Sequence, residues 1–301
     1  MFSEILPWRF RSLTNFLNEN TNFVFRSVLA TPPIECNPEA AVEYISLICH
    51  RDVNIYILAT KSFLRFFGDV AVVVHSDGTL TEKDIEVLQH HIPGLRVISR
   101  READDRVSAE VGSSLLKDAR RNDVSFIKLI DVNLFSRKRR IVADSDILFL
   151  RRPAEVIDWI ERGDAKGFYH IVRGGNTRFG RHLEALNIEL ETNIESLDYC
   201  SGFIGYDGQI GLADIEKVAR VLTAVAEGWG LEQVAYAFLL ADGSRKLSQE
   251  KYFAMLQESS EEDIGRATMV HFGGKLKHSQ YLRWGKRVTA ELAGGDSRHL
   301  R

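Results

Sequence analysis

Cysteine is scarce in this 301-residue chain: Cys36, Cys49 and Cys200 are the only three, and no two form a C-x-x-C pair. An odd number at wide spacing indicates neither a disulfide framework nor a zinc site, and it points to a reducing compartment. Long apolar runs are missing too; none approaches the ~18 residues that would span a bilayer. The N-terminus lacks the apolar core of a secretory leader, because Glu4, Arg9 and Arg11 interrupt it. These absences make the cytoplasm the expected location. Charge of one sign is not in excess either. The 39 basic and 42 acidic side chains leave a formal net charge of −3, so the positive field that nucleic-acid binding depends on is absent. Hydrophobic residues make up 45% and no low-complexity tract occurs, which excludes a disordered chain. The length admits two domains or one large α/β unit, and either builds a core without disulfides or structural metal.

What is present is an alternation of short apolar runs with helical patterns. Val53–Leu58 reads as a buried strand followed by a short helix at 62–67, and Val70–His75 as a second, β-branched strand. Ser76-Asp77-Gly78 signals a turn, and Thr81 with Asp84 forms a capping box for a helix ending near His91. Pro93-Gly94 stops that helix, and 95–98 is a third strand. Helix follows over 103–121, while Phe126–Ile130 fits helix or strand. Arg140–Leu150 is the most apolar strand of the chain. A helix from Ala154, strands at 167–172, 199–206 and 268–272, and helices at 212–226 and 231–240 complete the pattern. Such alternation predicts an α/β fold with a mixed, mainly parallel sheet and crossover helices. Residues 1–52 read as an N-terminal helical segment packed on a catalytic domain spanning 53–284, with 285–301 as a tail. The aromatic stretch at 2–28 also suits peripheral contact with a membrane surface. Residues 173–197 form a polar segment without sustained period, the kind of loop that often serves binding.

Asp144-Ser145-Asp146 is the central chemical clue. Two carboxylates inside so apolar a strand are costly to bury without a partner. At i and i+2 of a strand they share one face and repel. A divalent cation, Mn²⁺ or Mg²⁺, bound together with a phosphate-bearing substrate would remove that conflict. An exposed pair capping the strand's end is the plainer alternative. Far downstream, His271-Phe-Gly-Gly274-Lys-Leu-Lys277 offers a third metal ligand, glycine for close approach to an anion, and lysine for diphosphate charge. A C-terminal turn with solvated lysines is the alternative there.

Together, the two motifs resemble those of a known family. Val142–Pro153 looks like the D-x-D strand of GT-A-fold glycosyltransferases, and His271-x-x-Gly274-x-x-Lys277 looks like the C-terminal H-x-x-G-x-x-K motif of glycosyltransferase family 8. The resemblance covers roughly residues 53–284. It implies a metal held by Asp144, Asp146 and His271, and a nucleotide-diphosphate-sugar donor whose diphosphate meets Gly274 and Lys277. It also implies transfer with retention of configuration; the acceptor itself stays open between a glycan, a lipid-linked glycan and a protein. Lys128-Leu-Ile-Asp131 is similar to the family's K-x-x-D element, in which the lysine faces the donor. Cys200-Ser201-Gly202 stands where the family has N-S-G or N-A-G, with cysteine replacing asparagine. Glu232-Gln233 is similar to the D-Q pair near the transferred sugar. Leu58-Ala59-Thr60 and Asp77 resemble the nucleotide-binding ends of the first and second strands. An inverting enzyme would instead need a carboxylate base, for which Asp198, Asp207 and Glu232 are candidates.

Two further readings compete. Asp144-Ser145-Asp146 resembles the nucleophile strand of haloacid-dehalogenase-type phosphatases, though Leu148 stands where that motif has Thr or Val. A non-catalytic nucleotide-sugar-binding protein on the same fold is the other. The basic run Ser136–Arg140 reads as a solvated loop.

Overall fold

The computed structural model describes residues 20–173, 183–196, 198–225, 231–240, 242–273 and 279–294. Ten strands form one sheet in the order β3-β2-β1-β4-β7-β6-β9-β10-β5, with β8 beside β6. The strands are β1 (Val42–Ile48), β2 (Ala71–Ser76), β3 (Arg96–Ile98), β4 (Arg139–Ala143), β5 (Ile147–Phe149), β6 (Gly167–Val172), β7 (Tyr199–Tyr206), β8 (Ser244–Lys246), β9 (Tyr252–Met255) and β10 (Met269–Phe272). Helices flank both faces: α1 (Thr21–Val24), α2 (Val53–Leu64), α3 (Glu82–His91), α4 (Arg100–Glu110), α5 (Ser114–Asn122), α6 (Ser125–Phe135), α7 (Ala154–Arg162), α8 (Leu183–Leu190), α9 (Leu212–Val225), α10 (Leu231–Leu240), α11 (Glu261–Arg266) and α12 (Gln280–Gly294). The sheet is mainly parallel, with β7 antiparallel to β4 and β6, and β5 antiparallel to β10.

Strand alternation divides the core into two. Tyr44 and Val72 point to one face, against Phe63, Trp159, Tyr252 and Tyr281; Ile45 and Val73 point to the other, against α4–α6 and α9–α10. Each face carries its own apolar cluster, as a three-layer α/β/α arrangement requires.

The first strand is not where the apolar run predicted it. Val53–Leu58 lies inside α2, every residue of which is buried. A helix apolar all round is indistinguishable by periodicity from a buried strand. The strand beside β2 is Val42–Ile48 instead, within the range expected to be a helical N-terminal segment, and it sits between β2 and β4. At the other end, α12 runs through the domain limit expected at 284, with Gly285, Val288 and Thr289 buried. Phe126–Ile130 belongs to α6. Thr81 and Asp84 do form a reciprocal capping box at α3. The basic run is not a solvated loop: Arg140 is fully buried and donates to the Gly208 carbonyl, while Arg139 pairs with Asp207. Phe25, next to α1, packs edge-on against Tyr281 of α12 at 5.2 Å. Most of the aromatic N-terminal stretch lies outside the described residues, and none of the helices described is long and apolar enough to cross a membrane.

Candidate metal and donor site

The parallel strands β1, β2 and β4 end along one edge of the sheet, in register: Leu47 pairs with His75 and Ile45 with Val142. Asp77 lies just past β2, its N–H donating to the Ile48 carbonyl and its carboxylate accepting from Thr79. The predicted continuous strand 140–150 is broken here. It leaves β4 at Ala143, turns through Asp144-Ser145-Asp146, and resumes as β5 at Ile147. The two carboxylates therefore converge from a turn and not from one strand face. The break carries the chain from the middle of the sheet to its far side. Asp144 N–H donates to Gly202 of β7, and Phe272 N–H of β10 donates to Asp146 O. Antiparallel pairing of β10 with β5 sets His271 opposite Ile147.

His271 Nε2 lies 3.0 Å from Asp146 and 3.7 Å from Asp144. One ligand atom from each of the three falls within 4.8 Å of the others. Two oxygens and an imidazole nitrogen in this compass suit Mn²⁺ or Mg²⁺. Gly202 makes room for the ring, because a Cβ there would lie 2.3 Å from two of its atoms. This gives Gly202 a task other than the sugar contact implied by the resemblance.

Lys128 reaches from α6 to bond Asp144 at 2.7 Å and the Ser201 carbonyl at 2.8 Å. Burial opposes its charge, but Asp144 and Glu232 outweigh that and hold its pKa above the usual lysine range. Glu232, on the first turn of α10, accepts from Ser201 Oγ at 2.7 Å. Burial pushes its carboxyl up, with Lys128 and Ser201 working the other way. His271 is held well above the usual histidine range by Asp146 and Cys200, in spite of its burial. Cys200 Sγ is 3.3 Å from His271 Nδ1. Burial favours the thiol, yet His170 and His271 bring it down to about 5.

The structure thus brings together Lys128, Asp144, Asp146, Ser201, Gly202, Glu232 and His271, with Ser145 buried in the turn and Gln233 half-buried beside Glu232. It does not bring in Leu58-Ala59-Thr60: all three are buried in α2 and present nothing to a nucleotide. Their place at the strand end falls to Cys49 and His50, which follow β1. Asp207 is excluded as a base near the donor, because it follows Tyr206, which pairs with Arg140 at the opposite end of β4. Asp198, just before β7, is half-buried near the site edge of the sheet. Gly274 and Lys277 lie outside the described residues, as do 174–182 and 197; the rest of the segment expected to be a loop contains α8, Leu183–Leu190. Asp131 turns away from the site, into a two-pronged pair with Arg120 at 2.6 and 2.8 Å. His170 was missed. It sits in an ordinary-looking strand, and only the pairing of β6 with β7 sets it beside Cys200.

No sequence-family model and no curated protein matches the chain. Among solved structures, the galactosyltransferase LgtC in complex with donor and acceptor sugar analogues is similar over 84% of this chain and 95% of its own, with a TM-score of 0.54 at 13% identity. An active-site mutant of LgtC gives 0.55 at 15% identity over the same shares. The bifunctional glycosyltransferase WbbM gives 0.52 at 12% identity, over 84% of this chain and 52% of its own. The fold is that of the GT-A type.

Proposed function

We propose that this chain is a metal-dependent glycosyltransferase, moving a sugar from a nucleotide-diphosphate-sugar donor to a hydroxyl-bearing acceptor. The observation that carries the proposal is the meeting of the Asp144–Asp146 pair with His271, distant from it in sequence, at one point on a GT-A sheet. These three residues would hold Mn²⁺ or Mg²⁺, which would supply Lewis-acid stabilisation of the leaving diphosphate. Lys128 fixes the Asp144 carboxylate and limits repulsion within the pair. The ends of β1 and β2, with Asp77, offer the crevice outside the carboxyl ends of parallel strands where a base and ribose bind. Glu232 and Ser201 form a buried polar wall beside Lys128, with Gln233 next to them, where the transferred sugar is to be oriented. From the sequence, Gly274 and Lys277 add contacts to the leaving diphosphate, where preorganised positive charge counts most. Retention of configuration follows the likeness of the motifs to family 8. The three cysteines, all free, suit a cytoplasmic enzyme.

Asp144→Ala and Asp146→Ala should each abolish Mn²⁺-dependent donor binding in calorimetry while the thermal transition persists. Unchanged donor affinity in both variants would sink the metal assignment. A thermal-shift panel of nucleotide sugars, with and without Mn²⁺, identifies the donor; stabilisation by none of them would reject the transferase.

A further inference from the structure

We infer that His170, Cys200 and His271 form a second metal site, one that takes a thiophilic divalent cation of the Zn²⁺ class. The three donor atoms fall within 4.8 Å of one another. Cys200 Sγ and His271 Nδ1 are 3.3 Å apart. In tetrahedral zinc coordination, with Zn–S about 2.3 Å and Zn–N about 2.0 Å, such atoms stand about 3.5 Å apart. The sheet builds this arrangement: His170 of β6 pairs directly with Cys200 of β7, and the register shifts between Tyr169 and His170. Irregularities of this kind commonly re-aim a side chain beside a functional site.

The state of His170 points to a ligand. Its Nδ1 is 2.9 Å from the Phe203 carbonyl. A carbonyl only accepts, so Nδ1 carries a hydrogen, and in the neutral ring, the form that binds a metal, Nε2 presents the lone pair. That Nε2 is completely buried and makes no hydrogen bond of good geometry, while the Cys200 thiol lies against the ring. A ring whose second nitrogen is tied to a backbone carbonyl is the usual condition of a metal-ligating histidine.

The donor chemistry separates this site from its neighbour. A thiolate with two imidazoles selects Zn²⁺ or Co²⁺, whereas the carboxylate pair prefers Mn²⁺ or Mg²⁺. His271 faces both, with Nδ1 toward Cys200 and Nε2 toward Asp146 at 3.0 Å. A neutral imidazole has one lone pair, so the ring serves one cation at a time. Zinc on the thiolate site therefore weakens Mn²⁺ at the carboxylates, and the reverse holds by linkage. This antagonism rests on the proposed carboxylate metal site; occupancy of the thiolate site does not.

Co²⁺ titrated into the full chain tests the site through its near-ultraviolet thiolate-to-cobalt absorption. The band is expected in the wild type and in Asp144→Asn/Asp146→Asn, and it should vanish in Cys200→Ser. His170→Ala should weaken Co²⁺ by more than the roughly 10- to 100-fold typical of losing an outer-shell partner. No band in the wild type, or one surviving Cys200→Ser and so arising at Cys36 or Cys49, overturns the proposal. Zinc-edge X-ray absorption on the wild type gives a check free of any folding defect: one sulfur at about 2.3 Å supports the site, and a shell without sulfur refutes it. Mn²⁺ binding, followed separately by electron paramagnetic resonance, keeps the two sites apart. A cobalt band without Mn²⁺ binding upholds the thiolate site and removes the carboxylate one.

Discussion

Gly202→Ala isolates how closely the metal ligands depend on the backbone beside them. The added Cβ would lie 2.3 Å from both Cε1 and Nδ1 of His271, and 3.1 Å from Asp144 Oδ2. Non-bonded heavy atoms settle at about 3.5 Å or more, so the ring must withdraw by about 1.2 Å. Ligand distances tolerate only about 0.2 Å. The imidazole is the free end of a side chain and gives way before the strand does. Overpacking should therefore cost about 1–3 kcal/mol of stability, leaving a cooperative thermal transition a few degrees lower. Mn²⁺ affinity should drop at least as far as an outer-shell loss would take it, about 10- to 100-fold. The assay is Mn²⁺ titration by electron paramagnetic resonance, with circular dichroism melting on the same samples. His271→Ala serves as the reference, since it removes the ring without a clash; the two variants should bind Mn²⁺ equally weakly. Wild-type affinity in Gly202→Ala beside a weakened His271→Ala would refute the argument, because the ring could then ligate from a displaced position.

Asp131→Ala should be costly for a reason unrelated to the site. It leaves Arg120 buried with only Asp104 as a partner among the described residues, and breaking such a pair costs about 3–5 kcal/mol. Urea unfolding would show this, while Mn²⁺ affinity should stay unchanged; a loss under about 1 kcal/mol would contradict it. A third expectation concerns acid. His75 is buried against Phe135 with both ring nitrogens unpartnered, and burial, helped by Arg96 and Arg120, pulls its pKa to about 3. Between the unfolded value near 6.5 and about 3 the unfolded chain binds the extra proton, so stability falls as pH drops through that window. His75→Leu should flatten the decline without abolishing it, because His91, pulled to about 4, titrates in the same range. An unchanged slope of stability against pH would contradict the assignment.

Some of this protein is written locally, and the local part is legible in the residues. The Thr81 capping box, the strand at the end of which Asp77 sits, and the clustering of charge at Asp144 and Asp146 depend on neighbours a few positions away, so periodicity and spacing reveal them. The D-x-D and the histidine motif together pointed to the GT-A fold for the same reason: each is a short segment with its own chemistry. Val53–Leu58 shows where that legibility stops. Its apolar run reports burial, and burial is common to strand and helix; the neighbours that make it α2 come from β5 and α12, with Tyr44 of β1 stacked on Phe63.

The placement of side chains around the candidate site was a tertiary matter throughout. The break between β4 and β5 exists because β5 pairs with β10 on the far side of the sheet, a partnership over a hundred residues long that no window contains. The role of Gly202 depends on where His271 arrives, and the K-x-x-D element splits because Asp131 pairs with Arg120 while Lys128 pairs with Asp144. Cysteine scarcity remains the clearest case. From the sequence, three scattered thiols argue against any zinc site, and the residues do determine that no contiguous zinc motif exists. Only the fold sets Cys200 beside His170 and His271, because cross-strand pairing joins residues by register and not by spacing.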